Sequence, residues 1–189
     1  MTGRPDPEFP PERIELETLV LRRPMIEDVP AIYRGWTNAD EGPRYLSWMP
    51  HASEDVTRDR FIRVVDANWR NGEGERPWMI ERRTTGELVG AFASRVDGAR
   101  VNVGYVLGRA FWNQGMMSEA LMGVIEVALN SPEIWRVEAT CHYKNLASKR
   151  VMEKAGMEFE GRLRRYAVYP QFSSLPANCL LYARVKEES

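Results

Sequence analysis

The segment Asn113 to Glu119 has the residue types and the spacing to bind an anion through its backbone. A predicted strand passes here into a helix, and the first N–H groups of a helix have no acceptor within it. Gly115 lets the backbone approach a ligand closely, and the helix dipole adds partial positive charge. A pyrophosphate is therefore a suitable ligand without any lysine. Because a glycine at a helix start more often marks only a tight turn, this segment alone is a weak signal.

Asn145 and Ser148 are a second group of polar residues, and they open a predicted helix from Asn145 to Ala155. Asn145 suits the N-cap. Ser148 then stands at the third helical position, where a side chain can bond to a free backbone donor. This structural role can coexist with a role in chemistry. The helix is predicted to end at Gly156 in the left-handed conformation.

The elements that position these residues predict one mixed α/β domain. A hydrophobic period of two indicates strands, a period near that of a helical turn indicates helices, and short turns indicate an antiparallel meander in the middle of the chain. The predicted strands are Ile14 to Arg23, Trp78 to Arg83, Leu88 to Arg95, Arg100 to Leu107, Trp135 to Tyr143, Glu158 to Tyr169 and Ala177 to Val185. The predicted helices are Ile26 to Asn38, Ser53 to Asn71, one that ends near Asn130, and Asn145 to Ala155.

A loop from Glu41 to Pro50 carries closely spaced aromatic and apolar residues, among them Tyr45, Leu46 and Trp48. Loops of this kind often line binding clefts, and the alternative is a loop folded over its own core. Among the tryptophans, those to examine in a cleft are Trp36, Trp48 and Trp78.

Two segments in the expected order resemble a known family. Phe111 to Ala120 resembles the phosphate-loop pattern Tyr-Trp-Gly-Gln-Gly-Tyr-Ala-Thr-Glu-Ala of the GNAT N-acetyltransferases. Asn145 to Gly161 resembles the later family pattern of Asn-x-x-Ser, a basic helix, and Glu-Lys-x-Gly-Phe-x-x-Glu-Gly. The resemblance extends over nearly the whole chain, from Arg13 to Arg184. It is most like the branch of ribosomal-protein N-terminal alanine acetylases.

The resemblance implies the GNAT fold, a mixed and mostly antiparallel sheet of about six to seven strands flanked by about four helices. Its splayed central strands, Val101 to Leu107 and Trp135 to Tyr143, would form a cleft for acetyl-CoA. No metal is implied. Backbone groups would pair with the pantetheine arm at Val106 and Leu107. Backbone N–H groups would hold the pyrophosphate at Gln114, Gly115, Met117 and Ser118. Asn145 would contact the pantetheine or the substrate.

The implied activity is transfer of acetyl from acetyl-CoA to a primary amine, on a protein N-terminus or a small molecule, by direct attack in a ternary complex. The Ser148 hydroxyl would protonate the leaving thiolate. The base stays open, because the carboxylate that similar proteins have is missing between Arg164 and Tyr169. Glu138 is the preferred candidate, with an ion pair to a neighbouring arginine as its alternative. His142 and a chain of water molecules are the other options.

Composition narrows the classes of function. The 189 residues fit one domain, and 43% apolar residues suffice for a sizeable core. The 26 Lys and Arg nearly balance the 27 Asp and Glu, so no overall field attracts nucleic acid or an anionic membrane. Cys141 and Cys179 have neither CxxC spacing nor a histidine cluster beside them, so neither a metal site nor a disulfide is predicted.

Residues 1–11 are predicted to form a flexible leader, and residues 12–189 the acetyltransferase domain. The leader lacks the apolar region of a secretion signal, and prolines interrupt the longest uncharged stretch, Tyr166 to Ala183. The expected location is therefore the cytoplasm, with no membrane partner. A homodimer is one assembly that the resemblance allows.

The sequence offers two alternatives to acetyl transfer. The missing carboxylate makes a non-catalytic acyl-CoA sensor on the same fold the alternative. A nucleotide-binding protein built on the Gly115 loop is disfavoured, because the chain has neither the P-loop Lys-Ser/Thr nor a GxGxxG pattern.

Overall fold

A computed structural model describes residues 9–38, 44–72 and 74–187 of the chain. Its strands are β1 (Arg13–Glu15), β2 (Leu19–Arg22), β3 (Arg76–Arg82), β4 (Leu88–Asp97), β5 (Arg100–Leu107), β6 (Arg136–His142), β7 (Glu158–Ala167) and β8 (Ala177–Val185). Its α-helices are α1 (Val29–Ile32), α2 (Glu54–Arg60), α3 (Asp66–Asn71), α4 (Met116–Asn130) and α5 (Leu146–Lys154). Short 3₁₀ or π turns adjoin these helices at Ile26–Asp28, Tyr33–Thr37, Phe61–Val65 and Arg109–Phe111.

The predicted fold class is confirmed. One open sheet has the strand order β1-β2-β3-β4-β5-β6-β8-β7, and its described pairs are antiparallel except for β5 with β6. The turns at Ile26–Asp28 and Tyr33–Thr37 are continuous with α1, Phe61–Val65 joins α2 to α3, and Arg109–Phe111 is a separate single turn. Counted as continuous runs, the described helices therefore number four, as the resemblance implied.

The number of strands differs from the prediction, because the sheet has eight strands instead of six to seven. The predicted first strand, Ile14 to Arg23, is a hairpin of β1 and β2, closed where the Leu16 N–H donates to the Leu19 carbonyl at 2.9 Å. The Thr18 N–H in this turn donates to the Glu119 carboxylate of α4 at 2.8 Å. A contact with a residue so distant along the chain has no local signature in the sequence.

The central strands are splayed. β5 pairs with β4 along its whole length, from Gly90↔Leu107 to Asp97↔Arg100. Its parallel pairing with β6 ends at Val103↔Ala139, although both strands continue beyond that point. One edge of β5 therefore has unpaired backbone groups beyond Val103, and a cleft opens between the two strands.

The core lies between the sheet and the helices that cover it. The buried hydrophobic residues of α4 pack on the sheet; they are Met116, Met117, Ala120, Leu121, Val124, Ile125 and Ala128. This periodicity was visible in the sequence. No helix in the described ranges has the length and apolar content that spanning a bilayer requires.

The described chain is packed from Phe9 onward. Residues 1–8 of the predicted leader lie outside the described residues. Phe9 is buried against Trp78, with ring centroids 6.0 Å apart, and the Trp78 Nε1–H donates to the Pro11 carbonyl at 2.8 Å. Trp78 is thus a core residue and not part of a cleft.

Candidate active site

A cavity of about 550 Å³ opens where β5 and β6 separate. One side of it is formed by Tyr105 and Val106 of β5, Cys141 of β6, and Asn145 and Ser148 at the start of α5. The opposite side is formed by the helical turns near α1 and α2 and by the aromatic loop. Tyr45, Leu46 and Trp48 of that loop line the cavity, which favours the cleft-lining alternative; residues 41–43 of the loop lie outside the described part of the chain.

The start of α5 is built as the sequence indicated. The Asn145 side-chain oxygen caps the helix by accepting from the Ser148 N–H at 3.1 Å. The helix ends with Gly156 at φ +76°, where the Gly156 N–H donates to the Glu153 carbonyl at 3.1 Å. Both ends of the helix are thus satisfied locally. Ser148 is held at a fixed place beside the cavity.

The Ser148 hydroxyl is bonded to a tyrosine on the facing strand. Ser148 Oγ lies 2.8 Å from Tyr105 Oη, which also lies 3.3 Å from the Ser148 carbonyl oxygen. The hydroxyl therefore contacts β5 across the cleft, and the capping role belongs to Asn145. Burial raises the pKa of Tyr105 well above its usual value, and the bond to Ser148 offsets this only in part. The phenol is therefore protonated at neutral pH.

Sequence reasoning did not single out Tyr105. A signal was present, because Tyr105 shares a strand face with Val101 and Val103, both of which are buried. A tyrosine among inward-facing apolar residues needs a hydrogen-bond partner for its hydroxyl. The spacing thus indicated a polar contact but could not identify Ser148 as the partner.

The start of α4 has the conformation that close backbone approach requires. Gly115 has φ +82° and caps the helix, and a side chain there would be strained although no atom lies within 4 Å of an added Cβ. Met117 is buried, so its side chain points into the core and leaves the helix end open. The N–H groups of Gly115 and Met117 have no acceptor within the helix.

Two of the other predicted pyrophosphate residues already have contacts of their own. The Ser118 N–H donates to the Gly115 carbonyl at 3.0 Å, so this donor is engaged. The Gln114 side chain donates to the Ala110 carbonyl at 3.0 Å, which leaves the Gln114 backbone for a ligand. None of the four residues predicted to hold the pyrophosphate lines the cavity; they lie at the start of α4 beyond it.

The two predicted pantetheine residues differ in their surroundings. Val106 lines the cavity, and its carbonyl oxygen lies against Gly90 of β4. Leu107 does not line it, and its carbonyl accepts from the Trp112 Nε1–H at 2.9 Å. Val106 is therefore the one of the two that adjoins the cavity.

Glu138, the predicted base, is not brought together with Ser148. Its carboxylate accepts from Arg136 Nε at 2.8 Å, and it is absent from the cavity lining. Arg136 Nη1 also donates to Glu160 at 2.7 Å, and this contact lowers the pKa of Glu160. The structure thus shows the alternative weighed for Glu138, an ion pair with a neighbouring arginine.

The chain has two histidines, and they have different environments. His142 is 6% exposed, contacts the Tyr45 and Tyr169 rings, and accepts from the Lys144 N–H through Nδ1 at 3.1 Å. It is a packed residue. His51 lines the cavity, and its Nδ1 lies 2.8 Å from Thr57 Oγ1. Burial lowers the pKa of both imidazoles, so both are neutral at neutral pH.

Comparison with known proteins identifies the family. The family described as "Acetyltransferase (GNAT) domain" matches residues 18–158. The chain belongs to the GNAT acetyltransferase family. It is therefore an N-acetyltransferase by family, in keeping with the two motifs recognised in its sequence.

Similar proteins and structures agree with this family. The chain is 31% identical to the uncharacterized N-acetyltransferase YoaA of Bacillus subtilis (strain 168), over 81% of this chain and 86% of that protein. A GNAT-family acetyltransferase from Bacillus anthracis superposes with a TM-score of 0.78, at 23% identity over 93% of this chain and 99% of the other.

The ribosomal-protein branch appears among the structural neighbours. RimL, a ribosomal-protein alpha-N-acetyltransferase solved in complex with coenzyme A, superposes with a TM-score of 0.77, at 22% identity over 93% of this chain and 98% of that chain. At this identity the likeness concerns the fold. The expected cytoplasmic location and the homodimer stay predictions.

Proposed function

We propose that this GNAT protein transfers the acetyl group of acetyl-CoA directly to a primary amine, of a protein N-terminus or a small molecule, in a ternary complex. The observation that carries the proposal is the Ser148 hydroxyl, held by Tyr105 at 2.8 Å beside the cavity between the separated strands. A hydroxyl with its partner fixed in this way is a pre-positioned proton donor.

The residues present fit acetyl-CoA. The edge of β5 beyond Val103 offers unpaired peptide groups to the pantetheine arm, and the start of α4 offers N–H groups and a positive dipole end to the pyrophosphate. Asn145 lines the cavity beside Ser148. The proposed binding residues are Val106, Leu107, Gln114, Gly115, Met117, Ser118 and Asn145. Because the Ser118 N–H and the Leu107 carbonyl are already engaged, Ser118 would contribute its hydroxyl and Leu107 its N–H.

The proposed reaction breaks the thioester C–S bond and forms an amide C–N bond. When the tetrahedral intermediate collapses, the Ser148 hydroxyl donates its proton to the departing thiolate. Tyr105, whose raised pKa keeps it protonated, donates to Ser148 Oγ and stabilises the negative charge that develops there. Tyr105 thus acts through Ser148 and positions it.

The amine also loses a proton, which we assign to water in the open cavity, and this water returns a proton to Ser148 Oγ so that the serine hydroxyl is restored. Glu138 forms an ion pair with Arg136 and does not line the cavity, so we do not assign it the removal of the amine proton. The same observation favours the second candidate function, an acyl-CoA sensor that binds without turnover. Measurement of turnover separates the two functions.

The deciding experiment measures thiol release from acetyl-CoA in the presence of amines of several classes, together with the affinity for CoA by titration calorimetry. Release that depends on an amine supports the transferase, and acetylated product identified by mass spectrometry names the acceptor. Tight CoA binding without release from any amine would favour the sensor. A chain that binds no CoA would contradict both.

A further inference from the structure

We propose that the acceptor is a monoamine borne by an aromatic or bulky apolar group, and not a polycation such as a polyamine or an aminoglycoside. This inference rests on the proposed function. It follows from the lining residues that lie outside β5, β6 and α5, where we place the acceptor.

Four aromatic rings contribute flat, apolar surface to this part of the cavity, beside the polar side chains of Thr37, His51 and Thr57. Trp36 and Phe61 are buried, at 3% and 7% exposure, and both line it. Tyr45 and Trp48 line it from the loop. Surfaces of this kind stabilise a ligand through the apolar area that it buries and through ring contacts.

The loop aromatics are held in place before any ligand binds. The Tyr45 ring stacks on Phe172, with centroids 4.9 Å apart and an angle of 18° between the planes. Trp48 lies against His51, with centroids 5.4 Å apart, and His51 is fixed by Thr57. Side chains that are already ordered lose little conformational entropy on binding, so their contacts contribute more of their energy to affinity.

Charge in the cavity is sparse and balanced. Among the described residues that line it, Arg60 and Glu75 are the ones that carry a charge at neutral pH, one of each sign, and both are exposed. Glu75 is the one carboxylate among the described lining residues, so a polycation would leave its further ammonium groups against uncharged walls without enough carboxylates to replace their water. A single amine meets no such cost.

The same surroundings suit the chemistry of one amine. The attacking form is the neutral amine, and apolar walls disfavour the ammonium form and so lower the pKa of a bound amine. An aromatic face can hold the ammonium on entry through a cation–π contact. Two sources share this chemistry, a free arylalkylamine and a peptide whose first residue is aromatic.

The test compares kcat/KM for 2-phenylethylamine, a Phe-Ala-Ala peptide amide, an Ala-Ala-Ala peptide amide, spermidine and kanamycin. We expect the two aromatic acceptors to exceed the others by about tenfold or more. The ratio between 2-phenylethylamine and the phenylalanyl peptide distinguishes a free amine from an N-terminus. Preference for spermidine or kanamycin would overturn this inference and leave the proposed acetyl transfer intact. If none of the amines causes thiol release, the proposed function itself is contradicted.

Variants of one wall residue make the test specific. Trp48→Ala should raise KM for the preferred aromatic acceptor by about tenfold with a smaller change in kcat, and Trp48→Phe should restore most of the affinity. Trp135 is 50% exposed and outside the cavity, so Trp135→Ala is the matched control, with KM unchanged. If Trp48→Ala keeps the native KM, and its native CoA affinity shows that it is folded, Trp48 does not bind the acceptor and the inference is contradicted.

Discussion

Tyr105 Oη lies 2.8 Å from Ser148 Oγ, which connects the strand and the helix that face each other across the cleft. The two residues are 43 positions apart in the chain, so the fold and not local chain geometry brings them together. Tyr105 is placed by the pairing of β5 with β4, and Ser148 by the Asn145 cap. The proposed proton donor is thus oriented by two independent elements of the fold.

Replacing Ser148 by alanine should lower kcat by about a hundredfold and leave CoA affinity unchanged, because the thiolate then leaves without a positioned acid. Thiol release and calorimetry measure the two quantities. Ser173→Ala, in the loop between β7 and β8, is the control with unchanged kcat. If kcat survives in Ser148→Ala while thermal stability falls, Ser148 is only a structural residue of the helix start.

The variant Tyr105→Phe should lower kcat by about tenfold, less than the loss of Ser148 itself, because the serine keeps its proton but loses its orientation. The ring keeps its stack on Phe92, at 5.8 Å between centroids. In Ser148→Ala/Tyr105→Phe we expect no further loss beyond that of Ser148→Ala, since the two groups act as one unit. Additive losses would contradict the proposed dependence of one hydroxyl on the other.

Gly115→Glu should abolish CoA binding, because a carboxylate at this helix end repels the pyrophosphate and a side chain blocks its approach. Strain is a second effect, since φ is +82°. Gly86→Glu is the matched control, because Gly86 has φ +69°, has open space around an added Cβ and lies in the turn between β3 and β4. Calorimetry should show native CoA affinity in the control. Native CoA affinity in Gly115→Glu would contradict the assignment of the pyrophosphate to this helix end.

Glu138→Gln should leave kcat within about twofold of the native value and lower stability by about 1 kcal/mol or less, the range of partly exposed ion pairs. Glu160→Gln, which removes the other partner of Arg136, should lower stability similarly. Denaturant unfolding and steady-state kinetics measure both effects. A large fall in kcat for Glu138→Gln alone, with normal CoA affinity, would restore Glu138 as the base.

Stability should fall as pH decreases through the range just below 6.5, the ordinary histidine pKa. Burial, with Arg60 near His51 and Lys144 near His142, lowers both folded pKa values, so the unfolded chain binds protons first. The contribution is complete above the unfolded pKa and is lost as pH falls toward the folded pKa.

Urea unfolding at about pH 7.5 and about pH 5.5 measures this loss. The variant His51→Gln/His142→Gln should show a flatter pH dependence across that interval. Glu160, whose pKa Arg136 lowers from 4.5, titrates below this window and does not confuse the result. Identical slopes for the variant and the native chain would show that neither imidazole carries the effect.

Several features could be predicted because their causes are local. The cap at Asn145, the left-handed Gly156 and the buried face of α4 each depend on residues within a few turns of one another. Helix periodicity and capping preferences are short-range effects, so the sequence alone determined these elements, the fold class and the place of Gly115 at the start of α4. The first strand was mispredicted, because its hairpin turn is held by Glu119 of α4.

The chemical arrangement of the site was decided by tertiary structure alone. From the sequence, Glu138 had equal claims as a base and as the partner of a neighbouring arginine, and only the folded chain brings Glu160 to Arg136 and leaves Glu138 outside the cavity lining. Tyr105 had no visible partner until α5 brought Ser148 to it. Local propensities act between neighbours in sequence, whereas these contacts depend on how the sheet opens between β5 and β6, which is a property of the whole fold.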